Sequence, residues 1–363
     1  MERKTRIAMY VAPPIFGGVG SWARNYTRYL DHSRFTVDFI VQEELRPEIV
    51  REIEAAGGEV RRIPRLKFLP AFLVGAVRVF RAGRYDIVHA NHNLLNVFIL
   101  LAAWLARVPV RLSHSHSVSD RRDAKRHFAK LLLRPFSRLF ATRFLACSQA
   151  AGEFQFGRRA FAAGRVTVVH NAIEVERFRF DADTRRELRE RYGLEKRFVI
   201  GHIGRMGPPK NQSFLIEVLS DLVTRRPDAA LMLVGDGPDR ARLEALARAR
   251  GLADRVVFVG HVFDSHRYYS AFDAFAFPSF YEGLGLVLVE AQANGCPALG
   301  SEGVPREAKV TDAVTYLPLE IRRWSEALAA LAEAPARTAS APEIPRAYVL
   351  AEEVKTLESV YAE

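Results

Sequence analysis

Residues 198–211 read FVIGHIGRMGPPKN, an apolar run that reaches Gly204 and opens into a loop carrying Arg205 and Lys210. A continuous apolar run, instead of an alternating one, marks a strand covered on both faces. The polar stretch before it, Glu174 to Lys196, has no strand signal. Upstream, strand candidates are Ile7–Val11, Val37–Val41, Val60–Ile63, Ile87–His89, Val110–Ser113, Phe144–Cys147 and Val166–Val169. Helical patterns such as Ser21–Leu30, Glu48–Ala56 and Leu94–Ala106 lie between them. Downstream the rhythm continues through Ala230–Val234, Val256–Val259, Ala274–Phe277 and Ala298–Gly300. Strands alternating with helices predict parallel sheets. The restart at Phe198 predicts an α/β chain of two Rossmann-like, doubly wound parallel-sheet domains facing across a cleft. The expected divisions are 1–171, a linker at 172–196, a second domain at 197–338, and a tail at 339–363 that is Pro-rich and then helical.

The chain has 363 residues, 49% hydrophobic and 26% charged, which excludes a largely disordered, collagen-like or transmembrane protein. Its longest apolar stretch, Leu94 to Leu105, is shorter than the ~20 residues that span a bilayer. The opening MERKTRIAMYV has an apolar run too short for a signal-peptide core. Cys147 and Cys296 stand far apart with no CxxC pattern, so neither a disulfide framework nor a zinc knuckle is expected. A cytoplasmic protein is expected, at most peripheral on the inner face of the membrane. The formal net charge is +11, split as +15 over residues 1–170 and −4 over the rest. A basic half suggests an anionic partner. Nucleic acid is a poor candidate, because no helix-turn-helix, zinc or RNA-recognition signature appears and the charge is spread over helices such as Arg121–Arg126.

Ligands of such sheets bind where strands end, so the loops after strands carry the chemistry. The first, Gly17-Gly18-Val19-Gly20, enters a helix whose free N–H groups can meet an anion. In the second, Gly204 to Asn211, the planar fork of Arg205 and the mobile charge of Lys210 can converge on one polyanion. A departing diphosphate needs such neutralisation. The third places Glu282, Gly283, Leu284, Gly285, Leu286 and Glu290 after the run Ala274–Phe277. A helix starting near Gly285 would offer N–H groups to phosphate. It would set Glu290 in its early turns to accept ribose hydroxyls, with Glu282 on the loop near a sugar hydroxyl. The fourth is Ser113-His114-Ser115-His116, suited to hydrogen bonding or proton handling; no Cys or acidic cluster completes a metal set around it. Asp181-Ala182-Asp183 imitates a metal-binding D-x-D but sits in the polar stretch, and Ser148 lacks a nucleophile-elbow context.

Taken together these loops resemble the family 4 glycosyltransferases, retaining enzymes of the GT-B architecture. The matching pieces, in family order, are Gly17-Gly18-Val19-Gly20, Asp86 to Asn91, His170-Asn171-Ala172-Ile173, Gly204-Arg205 with Lys210, Leu233 to Pro238 including Gly235, and Glu282 with Glu290. Ser301 to Asp312, with Arg111 and His114 to His116, looks like the capsular and exopolysaccharide branch. The resemblance implies a nucleotide diphosphate sugar, UDP-linked by default, as donor in the second domain. Arg205 and Lys210 would hold the diphosphate, Glu290 the ribose and Glu282 the donor sugar, with Gly204, Gly235 and residues 283–286 lining the donor. Gly18 would lie by the distal phosphate and His114 or His116 near the sugar. It also implies retention, no metal or other cofactor, a glycan or lipid-linked acceptor, and a C-terminal helix that crosses back to the first domain. One departure is Gly303-Val304-Pro305-Arg306-Glu307, where the family commonly has two glycines before the proline. The competing enzymatic reading is a nucleotide-sugar epimerase or hydrolase; a basic nucleic-acid-binding protein is the other. With the donor assigned to the acidic half, the basic half is left for the acceptor side. There Arg61, Arg62, Arg65 and Lys67 precede the apolar run Phe68–Phe80, and 121–143 carries a basic amphipathic pattern. An anionic membrane surface bearing the acceptor is therefore expected to attract it.

Overall fold

The central strands of the first unit are buried on both faces. In β1 (Thr5–Val11), Ile7, Met9 and Val11 enter one core while Ala8 and Tyr10 enter another. The chain is described from a computed structural model covering residues 3–13, 18–116, 134–333 and 342–363. Gly17 and the basic run Arg121–Arg126 lie outside the described residues.

Seven parallel strands form the first sheet in the order β3-β2-β1-β4-β5-β6-β7. The others are β2 (Phe35–Val41), β3 (Val60–Arg62), β4 (Ile87–Asn91), β5 (Val110–Ser115), β6 (Arg143–Ala146) and β7 (Val166–Val168). The order reverses between β1 and β4, the switch point at which doubly wound sheets bind ligands. Helices Gly18–Tyr29, Pro47–Ala55 and Leu350–Ala362 cover one face, and Leu69–Gly83 and Asn96–Leu105 the other. In the apolar run 68–80, Phe72, Ala76 and Phe80 recur at helical spacing and are buried in the core, while Phe68, Leu69 and Val74 remain exposed.

The C-terminal segment Arg346–Glu363 belongs to this first unit, together with Met1–Ala172. Leu350, Val354, Leu357, Val360 and Tyr361 join the core around Trp22 and Tyr26. Glu353 accepts the backbone N–H of His170 at 2.7 Å, and the Tyr26 hydroxyl donates to the His170 carbonyl at 2.5 Å.

The second unit, Ile173–Pro345, has six parallel strands in the order β10-β9-β8-β11-β12-β13. They are β8 (Phe198–Ile203), β9 (Ala229–Val234), β10 (Val256–Gly260), β11 (Ala274–Phe277), β12 (Ala298–Ser301) and β13 (Val314–Leu317). The short edge strand β13 had no clear sequence signal. The polar stretch 174–196 is not bare connection. Its helix Ala182–Arg191 docks on the sheet through Asp273, which accepts Arg185 at 2.5 Å, Arg189 at 3.0 Å and the Val199 N–H at 2.7 Å. In the D-x-D pattern, Asp181 caps this helix, accepting the Thr184 N–H at 2.6 Å, and the exposed Asp183 pairs with Arg186 at 2.8 Å. Ser148 likewise caps helix Gln149–Phe156.

Leu357 is fully buried. Leu357→Ala is expected to cost about 2–4 kcal/mol in urea denaturation. A change below about 1 kcal/mol would mean that the terminal helix does not seal this core.

Candidate active site

Every strand of the second sheet runs the same way, so its loops gather at one edge. The loop after β8 holds Arg205, which is exposed and makes no side-chain hydrogen bond or ion pair among the described residues. Lys210 folds back over Gly204, where an added Cβ would lie 3.4 Å from Lys210 Cε. Its Nζ pairs with Glu282 Oε1 at 2.7 Å and sits 4.9 Å from the centre of the Phe277 ring. With 22% and 14% of the two side chains exposed, the pair is only partly screened by water. Gly235 brings the loop after β9 against this one. Its φ is 128°, and a Cβ there would fall 2.2 Å from the Gly204 carbonyl oxygen.

The loop after β11 carries Glu282 and turns into helix Leu286–Ala293 at Gly285, whose φ of 89° is a left-handed conformation. A Cβ at Gly285 would lie 2.9 Å from Phe277 and 3.1 Å from Val304. The non-glycine residue at the departure from the family pattern thus packs its buried side chain against this turn. Leu284 is buried, Gly283 and Leu286 partly so, which leaves mainly backbone N–H groups at this helix end. Glu290, partly buried in the second turn, accepts the Tyr269 hydroxyl at 2.6 Å. Burial pushes its carboxyl up to about 7, against the opposing pull of Tyr269 and of the Lys210 charge. The sequence pattern did not single out Tyr269, 21 residues away, because nothing local distinguishes it.

In the first unit, Gly18 is exposed with open space around it and begins the helix that carries Trp22. The buried Trp22 ring lies edge-on to His114 and His116, with centroids 4.7 and 4.9 Å away. His114 is on β5, His116 follows it, and their rings are 3.9 Å apart. His116 Nε2 meets Asn91 Oδ1 at 2.8 Å, and His114 Nδ1 meets His89 Nε2 at 3.0 Å. Burial holds His89 and His114 well below the usual imidazole range and His116 at about 3, so all three are neutral at pH 7. His89 lies in the family-like piece Asp86 to Asn91, but the sequence assigns it no role, and nothing local marks Tyr361 as its partner. Among the described residues no group of three His, Cys, Asp or Glu side chains could hold a metal ion.

The family model "Glycosyltransferase Family 4" matches residues 16–177, and "Glycosyl transferases group 1" matches 184–334. EpsF of Bacillus subtilis (strain 168), named as a glycosyltransferase, is 34% identical over 327 residues, 88% of this chain and 85% of EpsF. The chain belongs to the family 4 glycosyltransferases. An Escherichia coli relative is 26% identical over 82% of this chain and 79% of its own. It is named UDP-Gal:alpha-D-GlcNAc-diphosphoundecaprenol alpha-1,3-galactosyltransferase. The crystal structure of Anabaena HepE in complex with UDP and glucose superposes with a TM-score of 0.77 at 20% identity. It covers 99% of this chain and 95% of that one, which shows the shared GT-B fold.

In this glycosyltransferase the raised Glu290 carboxyl has a consequence for stability. A folded-state value near 7 against an ordinary 4.5 means that the folded chain binds this proton more tightly. The contribution is complete below about pH 4.5 and is lost as pH rises through about 7. Glu290→Gln keeps an acceptor for Tyr269 and removes the titration. The melting temperature of the variant minus that of the wild type should therefore rise across this window in ligand-free protein. A constant difference would refute the assignment.

Proposed function

We propose that this glycosyltransferase takes a sugar from a nucleoside diphosphate, UDP before others, and transfers it with retention at the anomeric carbon. The reading rests on one juxtaposition: the paired Lys210 and Glu282, the exposed Arg205, and the partly buried Glu290 at one edge of the second sheet. Arg205 and Lys210 neutralise the diphosphate, Glu290 accepts the ribose hydroxyls, and Glu282 meets the donor sugar. Gly18 approaches the distal phosphate, and the His114/His116 pair acts on the sugar. The C1–O bond to the β-phosphate breaks, and the acceptor oxygen bonds to C1 on the face just vacated. The acceptor proton passes to the leaving phosphate oxygen, releasing the nucleoside diphosphate. Two cationic side chains supply the charge a metal would otherwise bring, so no metal is required.

UDP is favoured by the UDP and glucose in the HepE complex and by the UDP-Gal in the name of the E. coli relative. That relative's name also contains a diphosphoundecaprenol acceptor, which favours a lipid-linked or polysaccharide-precursor glycan here. The acceptor side falls to the basic first unit. Among the described residues no helix is long and apolar enough to cross a membrane. Exposed Phe68, Leu69, Val74, Trp104 and Leu105 on that unit suit shallow contact with an anionic bilayer.

Arg205→Ala should lower kcat/KM about 10²–10³-fold, as for loss of one donor to a developing anion. Turnover in EDTA should persist, and an α-linked donor should give an α-linked product by NMR. Near-normal turnover of the variant, loss of activity in EDTA, or a β-linked product would each overturn its part of the reading. Vesicles containing anionic lipid should sediment the protein at low salt and release it at high salt. Failure to sediment would leave the charge surplus as a solubility feature.

A further inference from the structure

Tyr361 lies on helix Leu350–Ala362, and its buried hydroxyl meets His89 Nδ1 at 2.7 Å, across 272 residues of sequence. No other hydrogen-bond partner of that hydroxyl appears among the described residues. A buried O–H left undonated is costly, so the hydroxyl donates and His89 Nδ1 accepts. A neutral imidazole carries one proton, which is then on His89 Nε2. That nitrogen faces His114 Nδ1 at 3.0 Å with the two rings only 17° from parallel, the geometry of an in-plane N–H···N bond. His114 Nδ1 is therefore an acceptor, and its proton sits on Nε2. This Nε2 is buried and has no hydrogen-bond partner in the protein among the described residues.

An independent set of bonds fixes the neighbouring ring. Asn91 Nδ2 donates to the Tyr10 and His89 carbonyls at 3.3 and 3.2 Å, which turns its Oδ1 toward His116 Nε2. His116 is thus also an Nε2–H imidazole, and that hydrogen is already used.

We propose that Tyr361 is a positioning residue that acts through His89 to hold His114 as the Nε2–H tautomer, so that His114 meets the sugar as a hydrogen-bond donor and not as a base. The sugar contact rests on the function proposed above; the tautomer does not. The relay also explains why a terminal helix supplies a polar atom to a site otherwise built from β4, β5 and helix Gly18–Tyr29: it sets a proton position that those elements leave open.

The test is a long-range ¹H–¹⁵N correlation spectrum of histidine-labelled full-length protein at pH 7, assigned with single His→Gln variants. His89, His114 and His116 should all show the Nε2–H pattern. Tyr361→Phe keeps the ring packing and should populate the Nδ1–H form of His114. It should lower kcat about tenfold with little change in the KM for donor. An Nδ1–H pattern for His114 in the wild type, or an unchanged pattern in Tyr361→Phe, overturns the relay. If the variant does not fold, the wild-type spectrum alone decides. The expected spectra with unchanged transfer would leave the relay standing and overturn the sugar contact, and with it the placement of His114 in the proposed function.

Discussion

One ion pair joins the two loops on which the second unit's chemistry depends. Lys210 leaves the loop after β8, Glu282 leaves the loop after β11, and their charged atoms meet at 2.7 Å. The strands are neighbours in the sheet, so the pair ties adjacent loops at the edge where ligands of parallel sheets bind. Phe277 beneath the ammonium withholds water from one side. Around this pair the backbone has little latitude: the loop after β9 comes so close to Gly204 that position 235 can carry no side chain. The turn at Gly285 is closed in the same way by Phe277 and Val304. A lysine held in this manner is already in place, with most of its rotamer freedom spent before a ligand arrives. Among the described residues nothing comparable holds Arg205, and an exposed guanidinium can follow a phosphate that moves.

The sequence carried the fold because parallel strands buried on both faces write themselves as continuous apolar runs. Strand candidates in the sequence overlap all of β1 to β12, and several of them, such as β8, β9 and β11, are runs of this kind. The edge strand β3, Val60-Arg61-Arg62, is not, and β13, Val314-Thr315-Tyr316-Leu317, is short, half polar and had no candidate. The loop residues were legible for a related reason. Glycines at forced turns and charges at fixed spacing are local features, and Glu282 and Glu290 lie seven positions apart on one turn and helix. Their partners were not legible. Tyr269 reaches Glu290 from another element, and Tyr361 reaches His89 from the far end of the chain. Such contacts are made by tertiary packing and leave no local pattern.

Burial also separates two features that look alike in the sequence. The apolar run 68–80 and the histidine pair both lie in the basic first half. The helix places Phe72, Ala76 and Phe80 in the core, while Phe68, Leu69 and Val74 face solvent, so the run is structural along one stripe only. His114 and His116 are also buried, yet polar atoms in a core need partners, and among the described residues one ring nitrogen of each lacks one, His114 Nε2 and His116 Nδ1. An unsatisfied group amid well-packed neighbours is where function departs from packing.

The account stands or falls on recognition of a diphosphate by the second unit. Isothermal titration calorimetry of UDP against UMP measures this directly. UDP is expected to bind at least about tenfold more tightly, because the second phosphate adds charge-assisted hydrogen bonds to Arg205 and Lys210. In Lys210→Ala that advantage should shrink while UMP affinity holds. Equal affinity for UDP and UMP in the wild type would contradict the account.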